Sequence, residues 1–342
     1  MAEASGWAAA RPSRLRALLP GVGLCAIVAA VADLLARLEA MAFGAPGLGG
    51  VMWALVLGIL LRTIRAPDRA CDDGIAFSAR RLLEIAVMLF GALLSTSALL
   101  ELDPLLAAGI PVVVLATIAA SYGGARLLGV APRLAALIAA GNAVCGNSAI
   151  AAARPVTGAS PAEASVAIAL TSVPAIAVTL ALPLAAASLD LGPGHSGALA
   201  GLMVYAIPQV FGAAAPMGAL SLQVGLVVKL TRVLTLGPAM MLLALLLPDG
   251  PRNGRAILSR MLPWYMLGFA ALLLARTIGL FPEMLVPPVG ATAHTLAMLA
   301  MAALGLQTDL SAIRRLGLRE LGAVALSLTI LASLSLTLLA LV

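Results

Sequence analysis

The chain has 342 residues, 62% of them hydrophobic and 11% charged, with a formal net charge of +6 and a mean hydropathy of +1.09. No soluble domain of this length has a core large enough to hide that composition, which makes lipid the solvent and excludes a soluble enzyme or a soluble binding module. A basic balance can also signal nucleic acid, but here the positions of the basic residues point elsewhere.

Runs of 18 or more mostly apolar residues read as spanning helices, because ~20 residues at ~1.5 Å rise cross the ~30 Å hydrocarbon layer. Eleven such runs occur, at about 17–36, 46–63, 82–100, 104–123, 131–154, 161–187, 197–214, 224–247, 261–280, 287–308 and 320–341. Long unbroken stretches of Leu, Ala, Val and Ile argue against a barrel, whose strands would alternate over short segments. The expected class is all-α and polytopic.

With the N-terminus placed inside, sixteen of the 21 basic residues fall on one side: Arg11, Arg14 and Arg16; Arg62, Arg65, Arg69, Arg80 and Arg81; Arg126 and Arg133; Arg252, Arg255 and Arg260; Arg314, Arg315 and Arg319. The opposite loops carry little beyond Arg37 and Arg154. The positive-inside rule then gives an N-terminus on the cytoplasmic side, a C-terminus outside and an odd number of spans. The basic excess is an orientation signal, and no nucleic-acid partner is expected. Residues 11 to 35 also fit a signal peptide, with small residues near 29-AAVAD-33. Cys25, Cys71 and Cys145 are too scattered for a disulfide framework or a metal cluster, so neither a metal nor another cofactor is expected.

The longest connection contains 66-APDRACDDGIAFSARR-81, which reads as a solvated, membrane-proximal loop or as an amphipathic piece on the leaflet. Setting the first helix aside (1–45) leaves two sets of five, 46–190 and 191–342, and an odd number of spans per set inverts the second. The fifth run then corresponds to the tenth, each being fourth in its set. A weaker likeness joins 89-LFGALLSTSALL-100 to 303-ALGLQTDLSAIR-314.

The fifth run is interrupted by 141-GNAVCGNSAI-150. Unwinding a helix in a bilayer exposes backbone groups at several kcal/mol each unless protein or water covers them. Gly141 and Gly146 permit unusual backbone angles, while Asn142, Asn147 and Ser148 can satisfy freed backbone groups. Asn147 or Ser148 is a natural N-cap for a half-helix through 149-AIAAA-153, whose free N–H groups and dipole would favour an anion. Packing of helices through small residues is the plainer explanation of the same pattern.

In 203-MVYAIPQVFGAAAPMG-218, Pro208 predicts a kink or break, with Tyr205 and Gln209 one turn apart on one face. In 228-VKLTRVL-234, Lys229 and Arg232 share a helix face inside a span, where cations either line the bundle interior or snorkel to the surface. Asp33, Glu84, Glu101, Asp103 and Glu163 lie near the ends of the expected spans, which disfavours a carboxylate-relay cation pump. His294 is the intramembrane group that would titrate near neutrality when unperturbed, and is a weak candidate for coupling. Ser148 and His294 could form an intramembrane nucleophile and base only without an orienting acid or a nucleophile elbow, so an enzyme is not expected.

The segments 141-GNAVCGNSAIAAARPV-156, 228-VKLTRVLTLGP-238 and 299-LAMAALGLQTDL-310 resemble the YeiH-type family of bacterial inner-membrane proteins described as sulfate exporters, over about residue 46 to the C-terminus. The resemblance implies a secondary transporter related to the inverted-repeat exchangers and bile-acid symporters, with discontinuous crossing helices at its centre. It also implies a His-Glu pair in the seventh helix, where this chain has Tyr205 and Ala206. The expectation is an exporter of a small anion such as sulfate, a sulfonate or an organic acid, working by alternating access in the lipid bilayer. Asn142, Cys145, Gly146, Asn147, Ser148, Tyr205, Gln209, Lys229 and Arg232 would contact the substrate. An anion channel is the alternative, and a homo-oligomer is compatible with either.

Overall fold

The computed structural model describes residues 11–43, 49–93, 103–247, 264–308 and 317–342. All regular structure among the described residues is helical. The principal helices are α1 (Arg11–Phe43), α2 (Gly49–Ile64), α3 (Asp72–Phe77), α4 (Leu83–Phe90), α5 (Pro104–Leu127), α6 (Pro132–Ala143), α7 (Asn147–Thr157), α8 (Pro161–Ser188), α9 (Pro193–Met203), α10 (Ile207–Ala214), α11 (Ala219–Leu234), α12 (Leu236–Leu246), α13 (Trp264–Thr277), α14 (Val286–Gln307) and α15 (Leu318–Ala340).

Among the described residues, five stretches are long and apolar enough to cross a membrane: Ala17–Ala42, Pro104–Leu127, Pro161–Ser188, Glu283–Gln307 and Leu318–Ala340. The pair α11 and α12, bent by 42°, makes a sixth if counted as one span. The remaining expected runs differ for local reasons. The fifth divides into α6 and α7 around 144–146, and the seventh divides into α9 and α10 around 204–206. The eighth bends at Thr235, where Pro238 has no N–H to donate to the carbonyl one turn back. The tenth, α14, is continuous over 22 residues despite its Gly and polar positions. The seventh run, like the fifth, is a broken helix.

Helix ends follow their local chemistry. Asp103 caps α5 by accepting from the Leu105 N–H at 2.6 Å. Ser160 and Glu163 form a reciprocal capping box at the start of α8, at 3.2 and 2.7 Å. The segment 66–81, expected as a solvated loop or as an amphipathic piece, is mostly helical: α3 continues through a π-helical turn, Ser78–Leu82, into α4. Burial of Ile75, Ser78 and Ala79 explains this, since one face of the segment packs inward while Arg80 and Arg81 reach Glu84 on the other. Helix α1 runs on to Phe43, beyond the expected end, so Asp33 lies well inside a candidate span and pairs with Arg37 at 2.8 Å. The likeness between 89–100 and 303–314 falls largely outside the described residues.

The chain forms two compact units, one of Met1–Leu93 with Gly268–Leu310 and one of Leu94–Leu267 with Ser311–Val342. Each draws on both expected five-helix sets. In the first unit, α14 packs along α2 through a reciprocal glycine contact. A Cβ on Gly58 would stand 2.5 Å from the Ala302 carbonyl oxygen, and one on Gly305 would stand 2.4 Å from that of Leu55. The second unit is built around an alanine-rich core joining α5, α6, α7, α8 and α12, including Val114, Ala140, Ile150, Ala167 and Met240. There α9 and α11 approach closely because Gly197 and Gly201 leave room for the Ser221 and Gly225 carbonyls. That approach delivers the basic residues of α11 to the break in α9.

Candidate functional site

The site is assembled from two breaks and one helix face, all in the second unit. Helix α6 ends because Val144 leaves helical geometry (φ −115°, ψ −82°) and Gly146 turns to φ +63°, ψ −123°. That second conformation is open to glycine and strained for other residues. The Gly146 N–H returns to the Gly141 carbonyl at 2.8 Å, closing the end of the helix, and α7 starts at Asn147. Neither Asn147 nor Ser148 is the N-cap. Gly146 holds that position, without a side chain to offer, and the two polar residues fill the first positions of α7. Both residues are exposed. Cys145 is partly buried, its thiol against the Ser148 hydroxyl and the Ala149 N–H.

The second break is Val204–Ala206, and it begins at the residue whose carbonyl Pro208, four positions on, leaves free. Pro208 lies in the first turn of α10, where it has no N–H to offer the Val204 carbonyl four residues back, and Lys229 and Arg232 donate to that carbonyl instead. Tyr205 and Gln209 therefore do not share one helix face. Tyr205 lies in the break and donates its hydroxyl proton to Asn142 Oδ1 at 2.7 Å, tying the two breaks together. Gln209 folds back, its Oε1 accepting from the Ala206 N–H at 3.1 Å, so it caps α10. Asn142 Nδ2, fully buried, has no partner among the described residues.

Lys229 and Arg232 are fully buried, and snorkelling is excluded for both. A helix that stops inside the protein leaves its last carbonyls without N–H partners, and each needs another donor. On α6 the Ala140 and Gly141 carbonyls are met by the Val144 and Gly146 N–H groups. The next three belong to the cations: Arg232 Nη2 donates to the Asn142 carbonyl at 2.6 Å, Arg232 Nε to Ala143 at 2.7 Å and Lys229 Nζ to Val144 at 2.6 Å. At the end of α9 the pattern repeats. Arg232 Nη1 donates to the carbonyls of Gly201 at 3.3 Å, Val204 at 3.1 Å and Leu202, and Lys229 Nζ donates to Val204 at 2.9 Å. The two cations hold helix ends, and the expected direct contact of their charged groups with a substrate is replaced by contact with backbone.

His294 lies in the first unit, on α14, apart from this set. A Cβ on Gly50 would be 3.9 Å from both the His294 ring and the Asp33 Cα, so the backbone of α1 at Asp33 and the His294 ring flank the same glycine. The sequence concealed that neighbour because α1 was expected to end soon after Asp33. Among the described residues no group of three or more His, Cys, Asp or Glu could hold a metal.

Comparison with known proteins settles the membership. Residues 20–324 match the family model described as conserved hypothetical protein 698. The chain is 43% identical over 321 residues to a UPF0324 membrane protein of Agrobacterium fabrum, covering 94% of this chain and 92% of that one.

This chain belongs to the UPF0324 membrane-protein family.

A UPF0324 membrane protein of Brucella melitensis is 40% identical over 324 residues, 95% of this chain and 91% of its own length. One of Bacillus cereus is 29% identical over 299 residues, 87% of this chain and 84% of its own. No solved structure matches the chain. As a UPF0324 protein it is a multi-pass membrane protein with several apolar spans.

Proposed function

We propose that this UPF0324 protein is an inner-membrane secondary carrier that exports a small anion, in the class of sulfate, sulfonates and small organic acids, by alternating access. The architecture would be eleven spans, N-terminus inside, built from two inverted five-helix repeats. The supporting observation is the pair of adjacent breaks bridged by Tyr205 and Asn142. Two half-helices, α7 and α10, begin at those breaks, and helix starts present free N–H groups and a partial positive charge. The groups around them are donors or neutral: Asn147 and Ser148 at the start of α7, Cys145 beside them, and the unpaired Asn142 Nδ2 behind. No carboxylate is bonded at either break among the described residues. Broken helices at a transport site are the arrangement in which non-helical backbone survives in a membrane, because a water-filled or substrate-filled cavity meets it. Lys229 and Arg232 act from behind, fixing both breaks, and His294 beside Asp33 is the candidate for proton coupling.

Binding is testable without knowing the transport direction. Thermal unfolding of the purified protein is measured with sulfate, methanesulfonate and small dicarboxylates at constant ionic strength. One of these anions should raise the midpoint saturably, since a ligand at 100 times its Kd stabilises by about 2.7 kcal/mol. Ser148→Leu should abolish the rise while leaving the unliganded midpoint within about 2 °C, because Ser148 is exposed. Unchanged anion stabilisation in Ser148→Leu contradicts the site, and no stabilisation by any of these anions contradicts the substrate class.

A further inference from the structure

Seven hydrogen bonds run from Lys229 and Arg232 to six backbone carbonyls, those of Asn142, Ala143, Val144, Gly201, Leu202 and Val204. Four of those oxygens terminate the half-helices α6 and α9, and two lie in the breaks just beyond. Each helix end carries about half a negative charge, so roughly one full negative charge converges on this spot. Hard cations take about six or more oxygen ligands. In carriers with discontinuous helices, unwound carbonyls and half-helix C-termini are where a coupling cation binds. Oxygens of the same two kinds, six in number, converge here, and the charged ends of two side chains occupy the space between them. Arg232 cannot lose its charge under ordinary conditions, and its planar fork reaches carbonyls from both helices at once. A mobile cation would find the oxygens already engaged and a fixed positive charge among them.

We propose that Lys229 and Arg232 are a tethered substitute for an inorganic coupling cation, so that the carrier works without Na+ or K+ as co-substrate. The inference rests on the proposed carrier function and specifies its coupling. The balance of charge at the breaks then does not depend on cation gradients, and the anion needs no metal ion to enter before it. Any coupling must come from the anion exchanged or from protons at a different place, such as His294 and Asp33 in the first unit.

The test is thermal unfolding of the full chain in nanodiscs, in NaCl, KCl and choline chloride of equal ionic strength. Wild-type midpoints should coincide within about 1 °C. Lys229→Ala should lower the midpoint in choline chloride by roughly 10 °C, because the Val144 and Val204 carbonyls lose a donor in a dry site. In that variant NaCl or methylammonium chloride should restore several degrees by occupying the vacated half of the cage. Lys229→Met, which fills the space with an apolar chain, should show no such recovery. Stabilisation of the wild type specific to Na+ or K+ overturns the proposal, and so does a Lys229→Ala protein with one midpoint in all salts. The wild-type comparison needs no variant and stands even if Lys229→Ala does not accumulate. Titrating anions as choline salts separates the two readings. Salt-independent wild type and rescued Lys229→Ala without any anion effect would remove the anion carrier and leave the cage; a Na+ effect beside an anion effect would remove the cage alone.

Discussion

Arg232→Met is expected to be the most damaging single substitution in the second unit, lowering the unfolding midpoint by more than about 10 °C or preventing accumulation in the membrane. Arg232 donates to five carbonyls at two helix ends and the breaks beyond them; Met would take that donor from all five and leave Val204 alone with Lys229. Removing one partner from a buried ionic arrangement costs about 3–5 kcal/mol, and here the partners left behind are several. Arg232→Lys should recover little, because three donors on one atom cannot span carbonyls that the guanidinium reaches from both sides. Membrane abundance and midpoint of the two variants against wild type check this. A methionine variant within about 2 °C of wild type would show that water or other groups satisfy these carbonyls.

Gly146→Ala should be the second largest effect, and the contrast with Gly141→Ala makes it specific. Gly146 has φ +63°, and a Cβ there would also meet Tyr205 Cδ1 at 3.2 Å. Strain in so sparse a region costs about 1–3 kcal/mol before any clash. Gly141 sits in ordinary helix, and its Cβ would press mainly on the end of Ile150, at 3.0 Å, which can rotate away. Gly146→Ala is therefore expected to lower the midpoint by several degrees and to weaken anion stabilisation at least tenfold, since it shifts the start of α7. Gly141→Ala should do much less on both measures. Equal effects would mean that the left-handed turn does not set the site.

The break between α6 and α7 was legible because its cause is local: Gly, Asn and Ser are improbable in a lipid-facing helix, and Gly146 supplies the turn. Its capping was misread because the chain puts the glycine, not Asn147 or Ser148, at the cap. Pro208 marked the second break through the carbonyl it leaves free at Val204, but a proline near a helix start and a proline that kinks a helix look alike in sequence, so Tyr205 and Gln209 were read onto one face. Lys229 and Arg232 were correctly placed on one helix face, yet their partners lie 25 to 90 residues away and become available only when two helices stop. No local pattern encodes that. Asp33 was misplaced for a different reason: an apolar run marks lipid-soluble length, while α1 continues as helix through charged residues to Phe43.

Counterflow in proteoliposomes tests the central claim most directly. Vesicles loaded with sulfate, or with whichever anion stabilises the protein, are diluted into trace labelled anion in choline buffer without Na+. Wild type is expected to accumulate label transiently and saturably, and Ser148→Leu is expected to reduce the initial rate at least tenfold while remaining folded. Equal rates in Ser148→Leu and wild type, or label movement that neither saturates nor depends on internal anion, would contradict a carrier whose anion site lies at the start of α7.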